Sequence, residues 1–400
     1  MGLIDGRLIR EYVKQQCISI YRNHSNKSDR EIIIVRFEVP DYADNELRAR
    51  YEAARISAEQ KVATFSAIGF ISNQIVIPSN VNPEYFQQII QLINQNNEVI
   101  AAIIQYPVPP QCRNSIQLLS LQKDIDIVRE QSNELFQNCA TAEGIARIVE
   151  SYAQSNSTVV VVGGGGFVGK GVVNYLQQSS IDCFVLETYD DKSRLREADI
   201  VVSTVGQTGL LTPYILPSHR LVVDSGFTPT LDGRPRGDID KSAYNIPQNI
   251  TPVPGGVGPI EMAILCERLI KMELGVELPK WNYQQLQQQQ QQRAEAIAPI
   301  ARDLFRQIVT SDPTRINSPQ SGIAVVGGEH YNLAFNANQN TLSLTRISEK
   351  LTLIDLNLTN NQIEIARGLT TDDVTRWQQI QTSMNPSRQQ SIDPDRGIDL

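Results

Sequence analysis

Val159-Val-Val-Val162-Gly163-Gly-Gly-Gly166-Phe-Val-Gly169 carries the strongest structural signal in this chain. Four β-branched apolar residues predict a buried strand, and the glycines after them predict a tight turn. Val172 and Leu176 then follow at helical spacing. A strand, a glycine turn and a helix are the parts of a dinucleotide fingerprint, in which the pyrophosphate approaches bare backbone. The candidate cofactor-binding residues of the turn are Gly163, Gly164, Gly165, Gly166 and Gly169.

Further strands follow this motif at Cys183–Leu186, Ile200–Val202 and Leu221–Val223. Glu187 comes directly after the first of them, where a carboxylate would accept from a ribose 2′-hydroxyl. The combination predicts a Rossmann-type doubly wound domain. Two alternatives stay open: a doubly wound domain that binds nothing, and a Glu187 that faces solvent.

A second motif is the segment Thr251-Pro-Val-Pro-Gly-Gly-Val-Gly-Pro259. Its prolines exclude a helix interior or a central strand, and its glycines leave backbone that a flat ligand can approach. A helical pattern starts at Ile260, so free N–H groups would point into the same space. The segment is interpreted as a ligand wall; the alternative is a rigid loop that only tethers the helix.

Composition restricts the class of protein. The chain has 400 residues, a hydrophobic content of 41% and a formal net charge of −8. Its five cysteines are scattered, which predicts no cysteine metal site and a reduced, cytoplasmic protein. The acidic balance and the lack of a basic run argue against nucleic acid, and no apolar run is long enough to cross a membrane. The first residues lack the pattern of a secretory signal.

The chain is expected to be an α/β protein with two domains, followed by a small C-terminal α+β domain. Residues 1–140 alternate strand signals (Ile32–Phe37, Glu98–Ile104) with helices such as Glu46–Ser66, and a helix over 261–280 returns to this domain. Residues 141–265 form the dinucleotide domain. The remaining predictions are a Gln-rich linker over 282–294 in the form of a solvated helix, an appended domain over 295–382 and a disordered tail over 383–400.

With both motifs in view, the chain resembles the bifunctional methylenetetrahydrofolate dehydrogenase/methenyltetrahydrofolate cyclohydrolase family. The resemblance covers residues 3 to about 281. It rests on the two motifs above and on five further segments in family order: Ile4–Arg10, Ile104–Pro109, Lys123–Asp126, Ala198–Gly206 and Gly237–Asp240. It implies oxidation of 5,10-methylenetetrahydrofolate with a nicotinamide cofactor, followed by hydrolysis to 10-formyltetrahydrofolate. It also implies a homodimer.

The resemblance also implies roles for single residues. Lys61 corresponds to the family's catalytic lysine, Gln105 would orient it, and Asp126 would hold the pterin's amino and ring N–H groups. From the residues alone, Lys61 could be a snorkelling surface lysine, and Gln105 a strand-end residue bonded to local backbone. Asp126 could be a loop acid paired with Lys123 or with solvent. The implied substrate-binding residues are Ser57, Pro254, Gly255, Gly256 and Val257; Val205 and Gly206 join the cofactor-binding set.

Several positions depart from the family pattern. Ser57 replaces a tyrosine, Ile127 a glycine, Gly164-Gly165 an Arg-Ser pair, and Ile260-Glu261 a Met-Thr pair. Because glycines replace the turn arginine and Glu187 is acidic, NAD is predicted over NADP. The departures leave an alternative function: a non-catalytic module that binds a dinucleotide or folate and serves the C-terminal domain, which would bind an unidentified protein.

Overall fold

The protein is described from a computed structural model that covers residues 2–25, 30–129, 133–230, 235–348 and 350–384. The chain divides into two compact units, Met1–Asn282 and Tyr283–Leu400. None of the helices in these described ranges combines the length and apolar content needed to cross a bilayer.

The first unit alternates strands and helices along the chain. In order these are β1 (Gly2–Leu3), α1 (Gly6–Asn23), β2 (Glu31–Phe37), α2 (Asn45–Ile68), β3 (Ile71–Ile77), α3 (Pro83–Gln95), β4 (Val99–Ile104), α4 (Ala140–Tyr152), β5 (Val159–Val162), α5 (Phe167–Gln178), β6 (Cys183–Leu186), β7 (Ile200–Ser203), β8 (Leu221–Asp224), β9 (Asn249–Ile250) and α6 (Val257–Leu274). Short 3-10 turns lie between several of them.

The first lobe is built on a parallel sheet with strand order β3-β2-β4. Strands β2 and β4 are almost wholly buried, which confirms the two strands predicted there. Strand β3 was not predicted, because its half-exposed edge position allows polar residues such as Asn73 and Gln74. Helix α2 confirms the predicted helix: Asp44 caps its first turn, and Gly69 ends it in the left-handed conformation.

The second lobe is a six-stranded parallel sheet of order β1-β9-β8-β7-β5-β6, and it confirms the Rossmann-type prediction. Strand β1 belongs to this sheet, since Gly2 and Leu3 pair with Asn249 and Ile250. Strand β1 lies within the predicted first domain, 1–140, but it belongs to the sheet of the second lobe. Two residues are too few to show a strand period. Helix α6 begins four residues before the predicted start of the return helix, ends at Leu274 and packs against α1 and α4.

The second unit begins with one long helix. Its elements are α7 (Tyr283–Ser311), β10 (Ile316–Gln320), β11 (Ile323–Gly327), β12 (Tyr331–Asn336), β13 (Thr341–Arg346), β14 (Leu351–Asn357), β15 (Gln362–Ala366) and α8 (Thr371–Met384). The six strands form an antiparallel sheet in sequence order. Trp377, Leu333, Leu353 and Ala294 lie in its hydrophobic core, to which both helices and the sheet contribute.

The helix expected over the Gln-rich segment 282–294 is confirmed from Tyr283 on, whereas its role as a solvated linker was wrong. Residues 283–294 form the first part of α7 in the second unit, and Leu286, Gln290 and Ala294 are buried at a spacing of four residues. The Gln290 side chain accepts a hydrogen bond from Leu369 N (2.8 Å) and donates one to Leu369 O (3.0 Å). Glutamine is a good helix former, so the run can serve as helix rather than as a spacer.

One smaller prediction about the second unit also changes. Ser383 was assigned to a disordered tail, whereas it belongs to the last turn of α8. The rest of that predicted tail, residues 385–400, lies outside the described residues.

Candidate active site

Lys61 projects from α2 and is 4% exposed. Its Nζ donates to Ser57 Oγ (3.0 Å), Gln105 Oε1 (3.2 Å) and Glu261 Oε1 (2.9 Å). Ser57 lies one helical turn earlier, Gln105 follows β4 directly, and Glu261 lies in the first turns of α6. The ammonium is thus held by three oxygens from three different elements, and the alternative of a snorkelling surface lysine is wrong.

Asp126 lies beside this cluster. Its Oδ1 accepts from Ala140 N at the start of α4 (3.0 Å). Burial raises the pKa of Asp126, and the negative charge of Glu261 raises it further, while Lys61 acts in the opposite direction. Lys123 instead donates to the carbonyls of Ile93 and Asn96, so the alternative pairing of Asp126 with Lys123 is wrong.

The residue after Asp126 has an unusual backbone. Ile127 has φ 56° and is 2% exposed. A β-branched residue in the left-handed region is strained, typically by about 1–2 kcal/mol. A glycine would adopt this φ freely, which fits the glycine that the resemblance places there. The Asp124 carboxylate holds the turn by accepting from Val128 N and Arg129 N.

The proline–glycine segment forms the turn before α6. Gly255 has φ 110°, and Gly256 is the N-cap residue of the helix. A Cβ on Gly6 would lie 1.9 Å from Gly256 O, so the start of α1 packs against bare backbone of this turn. Val257, predicted as part of a ligand wall, is the first residue of α6 and is 8% exposed. The turn is therefore fixed on both sides by close packing.

The glycine turn after β5 has the conformation that a pyrophosphate site needs. Gly163 has φ 81°, and Gly166 is the N-cap of α5. A Cβ on Gly169 would lie 2.2 Å from Gly163 O and 2.7 Å from Gly164 Cα. The absence of side chains at these positions thus leaves a cradle of backbone at a helix N-terminus, which fits a dinucleotide phosphate group.

Glu187 lies next to this cradle. Its Oε1 accepts from Gly165 N at 2.8 Å, which places the carboxylate at the turn. Lys192 Nζ donates hydrogen bonds to the carbonyl oxygens of Glu187, Thr188 and Asp190, at 2.6–2.8 Å, and Lys192 is 5% exposed. The basic residue that follows β6 most directly therefore caps backbone. It does not offer its charge to a ligand at the turn.

The Val205–Gly206 loop is held by a buried carboxylate. Asp238 Oδ2 accepts from Ser203 Oγ (2.5 Å), Val205 N (3.1 Å) and Gly206 N (3.2 Å). Asp224 in turn accepts from Asp238 N (3.0 Å). Burial and the adjacent Asp238 raise the pKa of Asp224 to about 7. Sequence reasoning placed Val205 and Gly206 at the site but missed Asp238, which orients both amides.

Glu261 is the second residue that sequence reasoning missed. Besides its ion pair with Lys61, its Oε2 accepts from Thr141 Oγ1 at 3.3 Å, and its side chain is 23% exposed. Its only signal in the sequence was the departure from a threonine in the family pattern. Since 200 residues separate Glu261 from Lys61, no local pattern could have joined them.

Together these features define a first unit of two α/β lobes, of which the second is of the dinucleotide-binding class. The same unit contains the buried Lys61 and the carboxyl groups of Asp126 and Glu261. Comparisons with known proteins agree. Residues 139–275 match the family model described as tetrahydrofolate dehydrogenase/cyclohydrolase, NAD(P)-binding domain. The region of the chain up to about residue 281 is similar to the methylenetetrahydrofolate dehydrogenase/cyclohydrolase family.

Individual relatives show how far the similarity extends. Bifunctional protein FolD of Fusobacterium nucleatum is 28% identical over 236 residues, which are 55% of this chain and 82% of the relative. The FolD of Lactobacillus acidophilus is 29% identical over 238 residues, 55% of this chain and 82% of the relative. The solved Trypanosoma brucei FolD, complexed with NADP cofactor and inhibitor, has a TM-score of 0.58 at 22% identity, covering 68% of this chain and 97% of its own. About a third of this chain therefore lies outside the structural similarity, and nearly half lies outside the sequence similarity.

Proposed function

We propose that the first unit oxidises 5,10-methylenetetrahydrofolate to 5,10-methenyltetrahydrofolate with a nicotinamide dinucleotide. The observation that carries this proposal is the buried Lys61, held by Ser57 and Gln105 beside Asp126, in a unit that also presents the backbone cradle at Gly163–Gly169. The cofactor accepts a hydride when bound; the protein's residues bind and orient the reactants. Hydrolysis of the methenyl ring to 10-formyltetrahydrofolate belongs to the same proposal as the slower reaction.

Each group of residues has a role in this proposal. Asp126 accepts N–H groups of the pterin, a charge-assisted contact suited to a donor-rich ring edge. Gln105 holds Lys61 in place through the 3.2 Å contact with its Oε1. The turn at Pro254, Gly255 and Gly256 lines the substrate side, where bare backbone allows close approach. Val205 and Gly206, whose amides Asp238 orients, lie on the cofactor side.

The function is tested by mixing the full-length protein with methylenetetrahydrofolate and either NAD or NADP. We expect folate-dependent formation of reduced nicotinamide, which is measured by its absorbance. The reason is that Lys61 contacts the amide of Gln105 and interacts electrostatically with the carboxyl of Asp126. Binding of folate and dinucleotide without turnover would favour the second candidate, a non-catalytic binding module. Ser57 and the strained backbone of Ile127 are the observations that favour this candidate. Homodimer assembly, a cytoplasmic location and a protein-binding role for residues 295–382 complete the proposal.

We further propose NAD as the preferred cofactor, by at least ~10-fold in Kd, which corresponds to ~1.4 kcal/mol. The Glu187 carboxylate at Gly165 N would accept from a ribose 2′-hydroxyl, whereas a 2′-phosphate would meet a negative charge. Glu187→Gln should reduce the preference at least ~3-fold. Isothermal titration with the two cofactors measures both effects.

The matched control for this cofactor experiment is Asp182→Asn. It makes the same change of charge at the opposite end of β6, away from the glycine turn. We expect it to bind both cofactors as the wild type does. Equal affinities in the wild-type protein, or tighter NADP binding, would show that Glu187 does not select the cofactor.

A further inference from the structure

Glu261 changes the charge of the proposed folate site. It contacts Lys61 at 2.9 Å, and, after burial, its charge is the second cause that raises the pKa of Asp126. The family pattern has an uncharged threonine at this position. With Glu261 the site contains one ammonium and two carboxylic groups, so the positive charge of Lys61 is already balanced before any ligand binds.

The two proposed reactions respond differently to this balance. Loss of a hydride from the methylene carbon leaves one positive charge spread over N5, that carbon and N10. In the hydrolysis, the oxygen of water bonds to that carbon and the carbon–N5 bond breaks. One proton of the water goes to N5, and the other must go to a base. The first reaction creates a cation and needs no base, whereas the second consumes the cation and needs one.

We propose that Glu261 is a positioning residue that sets the ratio of the two reactions, by engaging Lys61 in an ion pair and by balancing the charge of the cationic product. This proposal rests on the proposed function. The 2.9 Å ion pair occupies the Lys61 Nζ, so the carboxylate opposes use of Lys61 as the base. The same carboxylate lowers the repulsion between Lys61 and the methenyl cation, which favours the oxidation.

Three further contacts support a positioning role. Glu261 Oε2 accepts from Thr141 Oγ1, which holds the carboxylate on the side of α4. Gln105 presents its Oε1 to the ammonium as an acceptor, which again suits the charged form. Ser57 adds a third oxygen at 3.0 Å. A charged Lys61 therefore has an acceptor for each of its three N–H groups.

The test compares three single variants and one double variant of the full-length protein. Glu261→Thr introduces the uncharged residue of the family pattern, and Glu261→Gln removes the charge with almost no change in shape. Glu59→Gln is the matched control, because it makes the same charge change on an exposed position of the helix that carries Lys61. The measurements are the rate of ring opening relative to hydride transfer, and the Kd values of methenyltetrahydrofolate and of uncharged tetrahydrofolate.

We expect both Glu261 variants to raise the ratio of ring opening to hydride transfer at least ~10-fold. They should weaken methenyltetrahydrofolate binding ~10-fold and change tetrahydrofolate binding less than ~3-fold. A purely structural role would weaken both ligands alike. In the double variant with Lys61→Met and Glu261→Thr, the gain in ring opening should disappear. Acylation of Lys61, measured by mass spectrometry, should be faster in Glu261→Gln than in Glu59→Gln.

Different outcomes overturn different claims. If the wild-type protein turns over folate but the ratio and the ligand discrimination stay unchanged in both Glu261 variants, the role of Glu261 is wrong and the proposed function stands. If the wild type neither oxidises nor hydrolyses folate, both are wrong. A gain that survives in the double variant would show that Lys61 is not the group that Glu261 controls.

Discussion

Replacing Asp126 with alanine should lower kcat/KM for methylenetetrahydrofolate at least ~10²-fold, because the pterin N–H groups lose a charged acceptor in a buried setting. Asp126→Asn keeps an acceptor oxygen near Ala140 N and should preserve the start of α4. The activity of both variants is measured by formation of reduced nicotinamide, and circular dichroism checks the fold. The exposed Asp41→Ala serves as control. Wild-type kcat/KM in Asp126→Ala would remove Asp126 from the site.

The same carboxyl should make folate binding depend on pH. Because burial and then Glu261 raise the pKa of Asp126, the group becomes protonated at a pH above the range of an ordinary aspartate. The protonated form loses its charged acceptor. Folate binding should therefore weaken as pH falls through that raised pKa and level off above it, and Asp126→Asn should flatten this part of the profile.

Replacing Gly169 with alanine should abolish the dinucleotide site, with cofactor binding weakened at least ~10²-fold. The new methyl group would lie 2.2 Å from Gly163 O and 2.7 Å from Gly164 Cα, both backbone atoms that cannot turn away. Relief of the clash must move the first turn of α5 away from β5, which opens the cradle and lowers the melting temperature. Titration with NAD and thermal unfolding measure the two effects.

Gly327→Ala is the matched control for this substitution. An added Cβ there would meet Asn332 Oδ1 at 3.4 Å, an ordinary contact, on a strand of the second unit. We expect wild-type NAD affinity in this variant. If Gly169→Ala also retains wild-type affinity and melting temperature, the close packing of the turn is not required for binding.

Strands β5 to β8 of the second lobe and the glycine turn were predictable because their signals are local, unlike the pairing of β1 with β9. Val159–Val162, the glycine turn and the start of α5 are contiguous, and a buried parallel strand needs an apolar run that is easy to recognise. The burial of Leu286 and Gln290 could not be read in the same way. Glutamines suit a solvated spacer and a helix face equally well, and only the distant Leu369 backbone shows which applies.

The candidate site was predicted in part. Lys61, Gln105, Asp126 and Ser57 came from the family resemblance, and the structure brings the lysine into contact with Gln105 and Ser57. Glu261 and Asp238 were missed because each contacts groups that are distant in sequence, Lys61 in one case and the amides of Val205 and Gly206 in the other. A carboxylate on a helix is usually solvated, so only its distance to the partner shows that it acts on the site.

The pairing of Gly2–Leu3 with Asn249–Ile250 has a consequence for synthesis on the ribosome. Strands β5 to β8 can pair with one another soon after each emerges. The outer edge of that sheet stays open until β9 has been made, and α1 must wait still longer for α6, its packing partner. Helix α1 is thus made before the other helices of the first unit but docks among the last of them, and a chaperone that shields its apolar face should improve the yield of folded protein.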